Sequence, residues 1–355
     1  MNTVYSDRRE RLRSMIQEMG VDGYLVLHPA NRYYLSGFEL HDPQCNESAG
    51  CLVLGHRSRD LLCTDPRYLD AAGRVWPEED VFLYRQDKLE TLLQFFQKSG
   101  ISTLGFESGS MSYQTYEVLS KGLEMVPSKG LTEELRKIKH PEEIARLQES
   151  CDLNHAIFAE LPSLVQTGIS ESALSWSLET RFRERGASEL AFDCIVAFGP
   201  NAALPHSIPG QAVLAEQQPV LVDMGGRLQA YCSDQTRTLW YGPKPSDFFQ
   251  RTLERVQKAQ TLAIQAIRPG LELRELYGVA HEYFREQGVE QYFTHGLGHG
   301  IGLETHEFPG IGPKSVGSLE PGMVITIEPG LYYPEWGGVR WEHMVLVTDD
   351  GARVL

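Results

Sequence analysis

Over the first third of the chain, short apolar runs alternate with stretches of helical period. The runs GYLVLH (23–28), CLVLG (51–55), LLCTD (61–65), VFLYR (81–85) and TLGFE (103–107) are brief and bounded by polar residues, which predicts strands. Between the last two, LETLLQFFQKSG spaces its apolar positions for one helix face and closes on Gly100, as a helix C-terminus does. Strands alternating with helices predict a small α/β domain. The pattern breaks at VPSKGLTEEL (126–135), where Pro127 and Gly130 precede Thr132, the expected N-cap, with glutamates in the first turn. His140-Pro141-Glu142-Glu143 then opens a second helix with Pro at its first position. These signals divide the chain into domains 1–127 and 128–355.

The second part repeats itself. RFRERG (181–186) recurs as YFREQG (283–288), so Phe182, Arg183, Glu184 and Gly186 reappear 102 residues later as Phe284, Arg285, Glu286 and Gly288. Gly168 and Gly270 stand at the same offset. Downstream, one apolar run ends on Asp223 and another on Glu328, 105 residues apart, and Asp234 and Glu342 follow, 108 apart. A period of about 100 is longer than solenoid repeats and predicts one duplicated domain with pseudo-twofold symmetry. Chance similarity between two amphipathic helices is the competing explanation, and the acids arriving in step weigh against it.

Those acids carry the chemistry. Period-2 alternation in SDQTRTLWYG puts Asp234, Thr236 and Thr238 on one face and Gln235 and Arg237 on the other. Aspartate suits such a strand poorly, and a buried carboxylate must be paired or hold a cation. GGVRWEHMVLVT repeats the arrangement, with Glu342 inside an otherwise apolar strand. One such acid alone reads as solvated surface; four at matching positions predict a shared pocket. Four carboxylates there would repel one another by about 4 kcal/mol per pair at a separation of about 4 Å, and two divalent cations would cancel their charge. Imidazoles are offered by THGLGHGIGLETHEFPG (294–310). Its glycines at 296, 298, 300 and 302 forbid a stable helix, admit close backbone approach and present His295, His299 and His306 from an extended segment. They do not form a dinucleotide loop, since no strand-to-helix context with an acid about 20 residues later surrounds them. Oxygen-rich ligation with one imidazole favours manganese, cobalt or iron over a structural zinc.

Composition narrows the setting. A length of 355 residues accommodates two domains, and 41% hydrophobic with 23% charged residues is ordinary globular usage that needs no disulfide staples. The six cysteines show no CxxC spacing, which argues against a zinc ribbon or a thiol redox site and suits a reducing cytosol. The first residues lack the apolar core of a signal peptide, and no apolar run approaches the roughly 20 residues of a membrane span. A net charge of −15 repels nucleic-acid phosphates and anionic lipid. These features predict a soluble, cytoplasmic protein with neither nucleic acid nor membrane as partner.

The stretches IVAFGPNAALPH, LVDMGG, SDQTRTLWYG, HGLGHGIGLETHE, LEPGMVITIEPG and GGVRWE resemble the creatinase/prolidase/methionine-aminopeptidase family of metallopeptidases. NRYYLSGF and LLCTDPRYLDAA are similar to the extra N-terminal domain of its Xaa-Pro peptidases, prolidase and aminopeptidase P. The resemblance covers nearly the whole chain. It implies an α+β pita-bread catalytic domain with an internal pseudo-twofold, preceded by a smaller α/β creatinase-like domain that borders the active site and helps form a homodimer. It implies two divalent metal ions on Asp223, Asp234, His299, Glu328 and Glu342, with Asp234 and Glu342 bridging. Manganese is the first expectation, with cobalt, iron or zinc as alternatives. His206, His295 and His306 match the family's substrate and proton-transfer histidines. Catalytic roles then fall to His206, His306 and Glu328, and substrate contact to His206, His295, His306 and Arg340.

The implied reaction is hydrolysis of short peptides at Xaa-Pro bonds by a metal-bridged hydroxide. A water shared by two metals has its pKa lowered towards about 7. Glu328 would carry its proton to the departing amine, and His306 would help stabilise the oxyanion.

Two positions depart from the prolidase pattern. Gly310 stands where Arg often follows HExP to engage a substrate carboxylate, which leaves peptides longer than dipeptides open. His343 stands where an acid usually follows the last ligand, and by alternation it faces away from Glu342. Arg340 shares the Glu342 face, where it meets either a ligand carboxylate or substrate. Rival readings are a methionine-aminopeptidase-like or other non-proline aminopeptidase, a creatinase-like hydrolase, and a binding-only pseudoenzyme. A complete set of five ligands argues against the last two.

Overall fold

A computed structural model describes residues 3–44, 47–55 and 59–355 of the chain. It divides into two compact units, Met1–Arg136 and Lys137–Leu355.

In the first unit the five expected strands form as β1 (Gly23–Val26), β2 (Gly50–Gly55), β3 (Leu61–Thr64), β4 (Val81–Leu83) and β5 (Thr103–Glu107). A sixth, β6 (Glu124–Ser128), completes a mixed sheet of order β4-β3-β2-β1-β5-β6. Its sequence EMVPS contains a proline, which a strand tolerates at the sheet edge, where β6 lies. Leu25, Val53, Phe96 and Leu104 pack the core. The acid that ends β5 fixes where this unit stops. Glu107 accepts hydrogen bonds from the Leu27 and His28 amides and from Asn31 Nδ2, each at 2.7 Å. Arg136, from the helix Leu131–Lys137, donates to Asn31 Oδ1 at 2.7 Å. Strand pairing and this buried network hold residues 124–136 to the first unit, so the contact boundary falls at 136/137 rather than at 127/128. Thr132 is correspondingly not an N-cap: the Glu134 amide reaches the Gly130 carbonyl, which places buried Thr132 inside the first turn.

The second unit is built twice on one plan. Its first half carries β7 (Glu189–Leu190), β8 (Ile195–Phe198), β9 (Gln218–Met224), β10 (Gly226–Leu228), β11 (Tyr231–Cys232) and β12 (Gln235–Tyr241). Its second half carries β13 (Gly298–Gly300), β14 (Glu307–Ile311), β15 (Val324–Ile327), β16 (Gly330–Tyr333), β17 (Gly337–Arg340), β18 (His343–Thr348) and β19 (Gly351–Val354). β9 lies between β8 and β12 as β15 lies between β13 and β18. Helices Pro141–Leu164 and Glu171–Glu184 precede the first set, Asp247–Ala266 and Leu273–Glu286 the second. Gly168 and Gly270 take left-handed φ of 86° and 83°, and their amides donate to the Leu214 and Leu319 carbonyls at 2.9 and 2.8 Å. Phe182 and Phe284 are both fully buried, one in each apolar cluster.

Asp234 and Glu342 lie one residue before β12 and β18, at strand entrances rather than inside strands. The Glu342 amide is used in joining the halves, donating to the Thr236 carbonyl at 3.2 Å. Cys45 lies outside the described residues, and Cys51, Cys63, Cys151, Cys194 and Cys232 are buried and free. Among the described residues no helix is long and apolar enough to cross a membrane.

Candidate active site

Strand alternation aims the acids. In β9, Val220 and Val222 enter the apolar cluster on one face, while Leu221 and Asp223 take the other. The chain leaves β9 at Gly225, where an added Cβ would sit 1.9 Å from the Ser233 carbonyl oxygen, so a side chain there would displace Asp234. In β13, a Cβ at Gly298 would meet the Thr326 oxygen at 1.9 Å, and the His299 amide donates to Thr326 Oγ1 at 3.1 Å. The glycines therefore let His299 lie against β15. Glu328, just past β15, is fixed by its amide on the Leu297 carbonyl at 2.8 Å.

These side chains line one cavity of about 470 Å³. Asp223, Asp234, His299, Glu328 and Glu342 all face it, with His206, His295, His306 and Arg340. Ligand atoms of Asp234, His299 and Glu342 lie within 4.8 Å of one another. His299 Nε2 is 3.6 Å from both Asp234 Oδ2 and Glu328 Oε1. Asp223 stands outside that tight group. One of its oxygens takes Arg340 Nη2 at 2.7 Å; the other, Oδ1, is buried with no donor among the described residues.

The electrostatics are those of a site short of positive charge. Burial, then repulsion from Glu342, Asp223 and Glu328, holds the Asp234 carboxyl well above its usual range. Burial, then Glu328 and Asp223, does the same to Glu342. Burial pushes Glu328 up to about 8 against the pull of Arg340. His299 is pushed down to about 4 by burial and then by His306, so its ring is neutral at pH 7. Its Nδ1 lies 3.0 Å from the Gly300 carbonyl and must be the protonated nitrogen. Nε2 then points a lone pair at two carboxylate oxygens. Converging lone pairs, an orphaned Asp223 oxygen and acids raised by burial and then by mutual repulsion are what a cation would relieve, so the residues present fit divalent metal.

The remaining candidates divide by geometry. His306 and His206 are exposed to the cavity, and the His306 ring stands edge-on to His299 with centroids 4.2 Å apart. Burial, then His206, lowers the His306 pKa. His295 has both nitrogens engaged: Nδ1 at 2.7 Å from the Gly296 carbonyl, Nε2 at 2.8 Å from the Tyr332 hydroxyl. It therefore offers the cavity its ring rather than a free donor. Arg340 meets the Asp223 carboxylate. Besides Asp223, it donates to Thr236 Oγ1, Tyr332 Oη and the Pro205 carbonyl at 2.9, 2.8 and 3.1 Å. His343 does face away, with Nδ1 2.9 Å from Gln260 Oε1. Gly310 is exposed, and an added Cβ there would meet nothing within 4 Å.

Tyr332, the hub joining Arg340 to His295, escaped the sequence reading. A signal for it existed. An added Cβ at Gly330 would strike its hydroxyl at 2.5 Å and one at Gly338 its ring at 2.7 Å, so the two glycines leave its space.

Residues 145–349 match metallopeptidase family M24, and residues 8–138 match the creatinase/prolidase N-terminal domain. The chain is 35% identical to the uncharacterized peptidase YqhT of Bacillus subtilis, over 98% of this chain and 96% of that one. It is 32% identical to the Xaa-Pro dipeptidase of Pyrococcus furiosus, over 98% and 97% of the two chains. Among solved structures, the Xaa-Pro dipeptidase from Bacillus anthracis superposes with a TM-score of 0.92 at 36% identity, covering 99% of this chain and 97% of that one. The chain therefore belongs to metallopeptidase family M24, as an enzyme with the pita-bread fold behind a creatinase-like N-terminal domain.

Proposed function

We propose that this enzyme hydrolyses short peptides at Xaa-Pro bonds with two divalent metals held by Asp223, Asp234, His299, Glu328 and Glu342. The observation carrying this reading is the cavity in which five potential ligands from both halves of a duplicated unit meet, their acids buried and crowded. When bound, two such ions acidify water and polarise a carbonyl. The protein's own groups do the rest. Glu328 takes a proton from water and returns it to the departing amine. His306 and His206, exposed to the cavity, donate hydrogen bonds to the developing oxyanion and to substrate. Arg340 donates to Asp223 and, through Tyr332, fixes the His295 ring as part of the cavity wall.

Manganese suits the oxygen-rich donors with one imidazole. The Xaa-Pro preference rests on the relatives that carry that name. Buried free cysteines support a cytoplasmic location, and a homodimer is carried over from the family resemblance. Because Gly310 presents no side chain for a substrate carboxylate, three- and four-residue Xaa-Pro peptides belong among the substrates. The test is a panel of Met-, Ala- and Leu-Pro peptides of two to four residues, with non-proline controls, on chelated and manganese-reconstituted protein. Metal-dependent cleavage before proline is expected. Equal cleavage of the non-proline controls would remove the Xaa-Pro assignment.

A further inference from the structure

We infer that Lys139 is a positioning residue for His306, acting through a buried ion pair with Glu307. Lys139 Nζ lies 3.2 Å from Glu307 Oε2, with side-chain exposures of 2% and 4%. The backbone of Lys139 is itself anchored, its amide donating to the Gly322 carbonyl at 2.9 Å. The other Glu307 oxygen, Oε1, accepts the Glu304 amide at 3.1 Å, so one carboxylate closes the turn that carries Thr305 and His306. It also lies over Gly302, where an added Cβ would be 2.7 Å from it. Thr305 Oγ1 donates to the Ala191 carbonyl at 2.9 Å, and Arg227 donates to the Leu303 carbonyl. His306 turns out of this set into the cavity, its ring against His299.

A buried ion pair is held together by the cost of leaving either charge alone, so it resists displacement more than a surface contact does. Here that stiffness is delivered one residue from a histidine whose donor must meet a developing charge. A misplacement of about 1 Å at such a group costs up to about 10²-fold in rate. Neither Lys139 nor Glu307 lines the cavity, so neither contacts substrate directly.

The inference rests on the His306 role proposed above, and its test separates the two. In Lys139→Met, kcat is expected to fall about tenfold or more, with KM within about twofold and metal content unchanged. In a His306→Ala background the same substitution should change kcat less than about twofold, since both act on one group. Lys139→Arg should recover most of the rate. If Lys139→Met folds poorly, the pair Lys139→Met with Glu307→Leu removes the unpaired buried charge. It should be stable and equally slow; a wild-type rate from it would overturn the inference. An activity-independent arm follows the His306 imidazole by ¹⁵N NMR, identified by its loss in His306→Ala. Its signal should shift or broaden in Lys139→Met while that of His281, remote in the sequence, stays put. An unmoved His306 signal, or equal kcat losses in the two backgrounds, overturns the positioning role. Failure of the wild-type enzyme to cleave any Xaa-Pro peptide overturns the functional reading instead.

Discussion

The first unit's Glu107 and the second unit's four cavity acids are all carboxylates removed from water, yet the protein treats them in opposite ways. Glu107 is surrounded by donors: the Leu27 and His28 amides, Asn31 Nδ2 and, at 3.4 Å, Thr132 Oγ1. The cavity acids face one another and a histidine lone pair with fewer donors: Asp223 takes Arg340, Glu342 takes Thr236, and the other Asp223 oxygen has no donor among the described residues. A buried carboxylate met by N–H groups is a structural tie, and one met by other carboxylates is a place for cations. Burial alone does not distinguish them; the partners do.

The sharpest way to break this contrast is to remove a cavity ligand. Asp234→Ala or His299→Ala should lower turnover by about 10³-fold or more while the protein stays folded. Retained activity with full metal content would sink the assignment. His306→Ala should cost about 10²–10³-fold in kcat, the scale of one oxyanion donor, with metal content retained. Parallel loss of metal and rate would recast His306 as structural. Glu107→Ala addresses the other side of the comparison. It strands the Leu27 and His28 amides and takes one acceptor from Asn31 Nδ2, so unfolding free energy should drop by about 3 kcal/mol, read by denaturant titration, with cavity metal undisturbed. The smallest effect is a pH slope. Burial raises the Glu107 pKa from 4.5 to about 7, against the pull of the His28 and Asn31 hydrogen bonds. A folded value above the unfolded one means a stability contribution fully present below about 4.5 and lost as pH rises through about 7. Glu107→Gln should flatten that decline between about pH 5 and 8, and an unchanged slope would assign it to another group.

How much of this was legible follows from range. Alternation is local, so Asp234, Thr236 and Thr238 could be put on one face from sequence, and Thr236 does meet Glu342 Oε2 at 2.9 Å. The repeat, too, was readable, because Phe182 and Phe284 mark the same buried spot in each half. What failed was long-range bonding between side chains. The Asn31–Arg136 contact that moves the unit boundary spans 105 residues, and the Lys139–Glu307 pair spans 168. No periodicity encodes such partners. Arg340 was placed on the correct face, but only the fold shows that four acceptors already occupy it.

Metal stoichiometry bears most directly on the claim that these acids are crowded for the sake of cations. Elemental analysis of chelated and manganese-reconstituted enzyme should find two ions per chain, falling in Asp234→Ala and remaining at two in Glu107→Ala. A reconstituted wild-type chain that holds no ion would contradict the account.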